Sequence, residues 1–132
     1  MLIVEDQAYM RRTLSKFLQS AFPAETIHEA VDGISALAVC RDRRPTVILM
    51  DIELPDANGI ELTAQIRQLL PESAVIVVTM HTSVEYAQRA LAAGAFAFVT
   101  KGSVNEDLVP AIKAALARHR PTTERTLKLD PT

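Results

Sequence analysis

Two uninterrupted apolar runs, Val47-Ile48-Leu49-Met50 and Ala74-Val75-Ile76-Val77-Val78, constrain the fold of this chain more than anything else in it. A strand with one wet face alternates apolar and polar residues. A continuous aliphatic run of four or five instead suits a strand covered on both faces, as in a parallel sheet. Shorter runs of the same kind lie at Leu2-Ile3-Val4, Thr26-Ile27 and Phe96-Ala97-Phe98-Val99. Between them, apolar residues recur at helical spacing. Met10, Leu14, Phe17 and Leu18 form one stripe, Leu62, Ile66 and Leu69 another, and Leu108, Ile112, Ala115 and Leu116 a third. Val84, Ala87, Ala90 and Leu91 make a small-residue stripe suited to close approach to a sheet.

Local signals agree with this alternation. Thr82-Ser83-Val84-Glu85 and Ser103-Val104-Asn105-Glu106 fit the capping box, and Asn58 with Glu61 is a similar pair. Gly33 and Gly59 mark turns into helices, whereas Pro23, Pro45 and Pro71 fall in helix-to-strand connections. Five strands alternating with five helices, joined by right-handed crossovers, predict an α/β fold: a doubly wound parallel sheet with helices on both faces. At 132 residues the chain has room for one such domain, over 1–118, and a short remainder over 119–132. From Pro121 the sequence turns polar and loses its periodicity, which reads as a tail or the start of an interdomain linker.

Charge and cysteine content narrow the function. Ten basic residues stand against fourteen acidic ones from Met1 to Ala117, with no basic stripe, so direct binding of nucleic acid is not expected. The single cysteine, Cys40, excludes an internal disulfide and a Cys-rich zinc site, and on the second helix near Leu37 it reads as an inert core thiol. No apolar run approaches the ~18 residues of a spanning helix, and no basic n-region precedes the first apolar run. These features lead us to expect a cytoplasmic protein without a membrane association. Arg41, Arg43 and Arg44 read as a solvated helix end, and His28 and His119 as structural or solvated.

In an open parallel sheet, ligands bind beyond the carboxyl ends of the strands. There the sequence places Glu5-Asp6 after the first run, Asp51 after the third, Thr79 after the fourth and Thr100-Lys101 after the fifth. Three carboxylates, a hydroxyl and an ammonium thus converge on one rim. The carboxylates would repel one another, and a hard divalent cation resolves that repulsion; oxygen-only ligands suit Mg²⁺, with Mn²⁺ as a substitute. A carboxylate beside such a cation can attack a phosphoryl group to give an aspartyl phosphate. The cation, the Lys101 ammonium and the Thr79 hydroxyl then supply one partner for each of three phosphoryl oxygens.

The run Leu2-Ile3-Val4-Glu5-Asp6, the segment Met50-Asp51-Ile52-Glu53-Leu54-Pro55 with Asn58-Gly59, Val78-Thr79, and Phe98-Val99-Thr100-Lys101 together resemble a two-component response regulator receiver domain. The resemblance covers residues 1 to about 118. It implies a flavodoxin-like three-layer sandwich with five parallel strands in the order 2-1-3-4-5. It also implies that a sensor histidine kinase, a histidine phosphotransfer protein or a small phosphodonor transfers phosphate to Asp51. Asp6 would bind Mg²⁺ directly and Glu5 through water, with Asp51 and the Glu53 main-chain carbonyl as further ligands. Thr79 and Lys101 would take phosphoryl oxygens. Movement of Thr79 toward the phosphate would open space for Phe98, repacking the face of the fourth helix, fifth strand and fifth helix; Phe98 is equally readable as static strand packing. Glu53, Met80 and His81 are candidate tuning positions. A homodimer formed on phosphorylation is a further expectation.

Two departures from the family pattern stand out. Gly102 follows Lys101 where proline is usual, which predicts a trans peptide with the turn supplied by the glycine's freedom in φ. Met80-His81 after Thr79 resembles the subgroup whose receiver precedes a helix-turn-helix DNA-binding domain, so control of transcription through such a domain is expected, and 119–132 would suit a linker cut short. Competing readings are a Mg²⁺-dependent phosphatase of the haloacid dehalogenase kind, an FMN carrier, and an interaction module independent of phosphorylation. The phosphatase is disfavoured by adjacent Glu5-Asp6 in place of Asp-x-Asp. Glu5-Asp6-Gln7 would repel the FMN phosphate, and the complete acceptor set argues against the third.

Overall fold

The computed structural model describes residues 1–118; the stretch 119–132, with His119 and the expected tail or linker, lies outside them. In chain order the elements are β1 (Leu2–Val4), α1 (Ala8–Ala21), β2 (His28–Ala30), α2 (Gly33–Arg43), β3 (Val47–Met50), α3 (Gly59–Leu69), β4 (Ala74–Thr79), α4 (Val84–Ala92), β5 (Ala97–Thr100) and α5 (Val104–Arg118). The sheet order is β2-β1-β3-β4-β5, with every pair parallel.

The continuous runs are doubly covered, as their composition demands. Every residue of β1, β3 and β4 is buried. Alternation along the strands divides the interior in two. Ile3, Leu49, Ile76 and Val78 face α1 and α5, where Leu14, Leu18, Leu108, Ile112 and Ala115 meet them. Leu2, Val4, Ile48, Met50 and Val75 face α2 and α3 and pack on Ala36, Cys40, Leu62 and Ile66. Each fully buried aliphatic side chain contributes about 1.5–3 kcal/mol, so the three central strands anchor the rim.

Five local expectations are corrected. The second strand is His28–Ala30 rather than Thr26-Ile27. Its ladder is set by β1, which pairs Leu2 with His28, while the Met1 ammonium donates to the Thr26 carbonyl at 2.7 Å. The first residue of α4 is Val84, and Ser83, not Thr82, caps it by accepting from the Glu85 N–H at 3.1 Å. Its buried line runs through Tyr86, Ala90 and Ala93, leaving Val84 and Leu91 exposed rather than against the sheet. Ser103 does not open a capping box: it ends a 3₁₀ turn over Lys101–Ser103, and its hydroxyl accepts from Thr100 Oγ1 at 3.3 Å. Gly102 sits inside that turn with a trans peptide and without positive φ, so its conformational freedom is not what makes the turn.

Other signals hold. Asn58 Oδ1 accepts from the Ile60 and Glu61 N–H groups and caps α3. Arg41, Arg43 and Arg44 are exposed at the C-terminal end of α2, where cations complement the helix dipole. A full capping box that the sequence reading passed over joins Asp32 to Ser35 at the start of α2.

Candidate functional site

The parallel ladder brings the acidic residues together. Glu5 N–H donates to the Ala30 carbonyl at 3.0 Å and Asp51 N–H to the Val4 carbonyl at 3.1 Å, so both residues leave the sheet side by side. Glu5 is 1% exposed and Asp51 7%, whereas Asp6 is exposed. One carboxylate oxygen from each of Glu5, Asp6 and Asp51 lies within 4.8 Å of the others. Thr79 is buried at the end of β4, and Lys101 immediately follows β5, with Thr79 paired to Thr100 across the ladder. An open cleft of about 710 Å³ is bordered by Asp6, Asp51, Glu53, Thr79, Met80 and Lys101.

Lys101 bridges the buried acids. Its Nζ lies 2.8 Å from Glu5 Oε1 and 3.4 Å from Asp51 Oδ2. Glu5 Oε1 has no aligned hydrogen bond, so the close ammonium meets it as an ion pair, while Oε2 accepts from the Gln7 N–H at 3.1 Å. Burial raises the Glu5 carboxyl above its ordinary value; Lys101 and the Gln7 N–H oppose that rise, and the Asp51 charge adds to it. Burial works to lower the Lys101 ammonium, but the close Glu5 carboxylate and the Asp51 charge outweigh it and leave the group above its usual range. Three carboxylates share this ammonium, so the cluster is short of positive charge. A poorly satisfied buried carboxylate beside two more, all oxygen donors, fits a hard divalent cation.

The loop after β3 is shaped to keep Asp51 in place. Asp51 Oδ1 lies 3.5 Å from the Glu53 N–H, Glu53 bridges to Asn58, and Gly59 N–H donates to the Ile52 carbonyl at 2.7 Å. A Cβ at Gly59 would lie 2.0 Å from the Asp51 carbonyl oxygen, so only glycine allows this approach. Asp56 accepts from the Gly33 and Ile34 N–H groups at 2.7 and 3.1 Å, tying the loop to the first turn of α2.

The remaining expected positions are distributed around the cleft. The Glu53 side chain reaches outward and pairs with His81 Nε2. His81 stacks on Tyr86 with ring centroids 4.4 Å apart, and its main-chain N–H donates to Thr79 Oγ1 at 3.3 Å. Met80 is largely exposed on the cleft rim. Phe98 pairs with Val77 in the ladder and packs, half-buried, on the cluster of Ile52, Ile60, Val77, Ala90 and Ala95. Cys40 is fully buried, and burial pushes its thiol up to about 11. Arg11 and Asp56 were not singled out from sequence, because each acts on a residue distant along the chain or on main-chain atoms; Tyr86 was missed because its stacking on His81 depends on the path of the β4–α4 connection. An arginine one turn into the helix that follows an acidic pair is the one signal that could have flagged Arg11.

Comparison with known proteins agrees with this fold. The family model described as the response regulator receiver domain matches residues 1–113. The transcriptional activator protein ExaE of Pseudomonas putida is 32% identical over 118 residues, covering 89% of this chain and 55% of that protein. The response regulator GacA of Pseudomonas aeruginosa is 30% identical over 119 residues, covering 90% and 56%. The chain thus spans about half the length of these curated relatives. Among solved structures, a LuxR-family two-component response regulator from Aurantimonas sp. SI85-9A1 superimposes with a TM-score of 0.78 at 33% identity, covering 88% of this chain and 83% of that one. A CheY-like receiver domain protein from Methanospirillum hungatei JF-1 gives 0.80 at 29% identity, covering 89% and 94%. The chain belongs to the response regulator receiver domain family, whose members generally bind Mg²⁺ through acidic residues and partner with histidine kinases. Among the described residues, no helix is long and apolar enough to cross a membrane.

Proposed function

We propose that residues 1–118 form a phosphorylation-controlled switch in which Asp51 accepts a phosphoryl group in a Mg²⁺-dependent reaction. The observation that carries this reading is the convergence of Glu5, Asp6 and Asp51 within 4.8 Å, with Lys101 Nζ 3.4 Å from the Asp51 carboxylate. In the transfer, an Asp51 carboxylate oxygen attacks the phosphorus of a phosphohistidine or small phosphodonor. The new P–O bond forms as the P–N or P–O bond to the donor breaks, and the leaving group departs with its electron pair and takes up a proton. Held by Glu5, Asp6, Asp51 and the Glu53 carbonyl, the cation would neutralise charge on the transferring group.

The chain's own residues divide the other tasks. Lys101, already beside Asp51, offers its ammonium to a phosphoryl oxygen and so leaves Glu5 to the cation. Thr79 supplies a hydroxyl from the neighbouring strand end. Its engagement would draw the β4–α4 connection inward and relieve the packing around Phe98 and Ala90, biasing the α4–β5–α5 face. Glu53, Met80 and His81 border the acceptor and would tune phosphate lifetime. The partner is a histidine kinase or histidine phosphotransfer protein, and a homodimer on phosphorylation is part of the reading. The output is control of transcription through a DNA-binding domain outside 1–118, a reading supported by transcription regulators among the relatives.

Acetyl phosphate or phosphoramidate with Mg²⁺, followed by intact-mass measurement, tests the reading. Wild type should gain one phosphoryl group, and Asp51→Asn or added chelator should abolish the gain. An unchanged adduct on Asp51→Asn, or none with any donor, would overturn it.

A further inference from the structure

Of the three clustered carboxylates, Asp6 alone is exposed, and it lies one residue further from its strand end than Glu5 or Asp51, whose N–H groups still bond to neighbouring strands. Its orientation is nevertheless fixed from one side by Arg11. Arg11 lies one turn into α1, where helical side chains lean back toward the N-terminus and so reach the preceding connection. Its Nη1 donates to the Glu5 carbonyl at 2.9 Å and to the Asp6 carbonyl at 3.3 Å. Its Nε donates to Glu29 Oε1 at 3.0 Å, on edge strand β2. The Glu5 and Asp6 carbonyls belong to the two planar peptide units that flank the Asp6 Cα. Pinning both planes with one nitrogen fixes the φ and ψ of Asp6 and hence the direction in which its carboxylate leaves the chain. Glu29 holds the guanidinium in turn, and the register Ile3 to Glu29 ties the whole clamp to the sheet.

We propose that Arg11, anchored by Glu29, is the positioning residue of the cation site, orienting Asp6 through the main chain without touching the cation. The proposal rests on the reading of Glu5, Asp6 and Asp51 as that site. It makes a prediction opposite in sign to simple electrostatics. A guanidinium near a cation site repels the cation, so removing it for charge alone would tighten metal binding. Removing an orienting partner of the ligand set instead weakens binding, by about tenfold or more. Lysine keeps the charge but lacks the planar fork that serves Glu29 and both carbonyls together, so it should not restore orientation.

Binding of Mn²⁺, followed by the electron paramagnetic resonance of the free ion, separates these cases without any phosphoryl donor. Wild type, Arg11→Gln, Arg11→Lys, Glu29→Gln and Asp6→Asn would be compared, with metal-free thermal melts to check folding. Arg11→Gln and Arg11→Lys should each raise the Mn²⁺ Kd about tenfold, and Glu29→Gln should raise it by less. Affinity equal to or tighter than wild type in Arg11→Gln would overturn the proposal. Should Arg11→Gln fail to fold, wild-type affinity in both Arg11→Lys and Glu29→Gln would do the same. Failure of wild type to bind Mn²⁺, or full binding by Asp6→Asn, would instead overturn the cation-site reading on which the proposal stands.

Discussion

Gly59→Ala tests whether the acceptor loop is built as described, because two principles disagree about its sign. Gly59 is the first residue of α3, and replacing a helical glycine by alanine ordinarily stabilises by about 1 kcal/mol. Here the added Cβ would lie 2.0 Å from the Asp51 carbonyl oxygen and 2.8 Å from the Ile52 Cα. Ordinary contact is ~3.5 Å, so main-chain atoms must separate by roughly 1.5 Å. They cannot yield cheaply, since Asp51 is tied to Val4 at 3.1 Å and Gly59 to Ile52 at 2.7 Å. Overpacking of this kind costs about 3 kcal/mol at the upper end of its usual range. Losing the Gly59–Ile52 hydrogen bond adds about 1 kcal/mol. After the propensity gain, net destabilisation is about 3 kcal/mol, a fall in Tm of roughly 12 °C at this length. Far-ultraviolet circular dichroism melts would read it, with Gly102→Ala as control because a Cβ there meets nothing within 4 Å. Phosphoryl loading should fall in Gly59→Ala and persist in Gly102→Ala. A Gly59→Ala protein melting at or above wild type would refute the reasoning.

Three further perturbations follow from the same structure. Lys101→Met should destabilise the metal-free protein by about 3 kcal/mol, because it leaves Glu5 buried beside Asp51 without its ammonium; chemical denaturation should show it, with Mg²⁺ recovering more stability than in wild type. Asp56→Ala removes the acceptor for two N–H groups of α2 and should cost about 1 kcal/mol, with faster hydrogen exchange at Gly33 and Ile34. The Cys40 thiol, pushed from 9.0 up to about 11 by burial, keeps its proton in the folded state where the unfolded chain would lose it. Stability should therefore fall as pH rises from 9.0 toward 11, by up to about 3 kcal/mol relative to Cys40→Ala. A parallel pH dependence in the two proteins would contradict it, as would reaction of native Cys40 with thiol reagents as fast as in the unfolded chain.

The parts of the molecule that were legible from sequence share a physical cause. Val47–Met50 and Ala74–Thr79 are buried on both faces, so their composition alone identifies them. Once those strands are parallel, chain order brings Glu5, Asp6, Asp51, Thr79 and Lys101 to one rim. The edge strand was misplaced because half of it faces solvent: His28-Glu29-Ala30 has no apolar run, and its register is imposed by β1. The 3₁₀ turn after Lys101 likewise depends on the Thr100–Ser103 contact, not on glycine conformation. The Arg11 clamp and the Asp56 tie were invisible for another reason. Both act on backbone atoms brought close by the fold, and Arg11 meets Glu29 across 18 residues and Asp56 meets Ile34 across 22. Residue type does not encode such contacts.

The central claim is that Asp51, and no other carboxylate of the cluster, carries the phosphoryl group. Borohydride reduces an acyl phosphate to the alcohol, which would mark the acceptor permanently as homoserine. Wild type loaded with phosphoramidate and Mg²⁺, reduced, digested and sequenced by mass spectrometry should show homoserine at position 51 alone. Reduction at Glu5, Asp6 or Glu53, or phosphate on a residue that borohydride leaves untouched, would contradict the account.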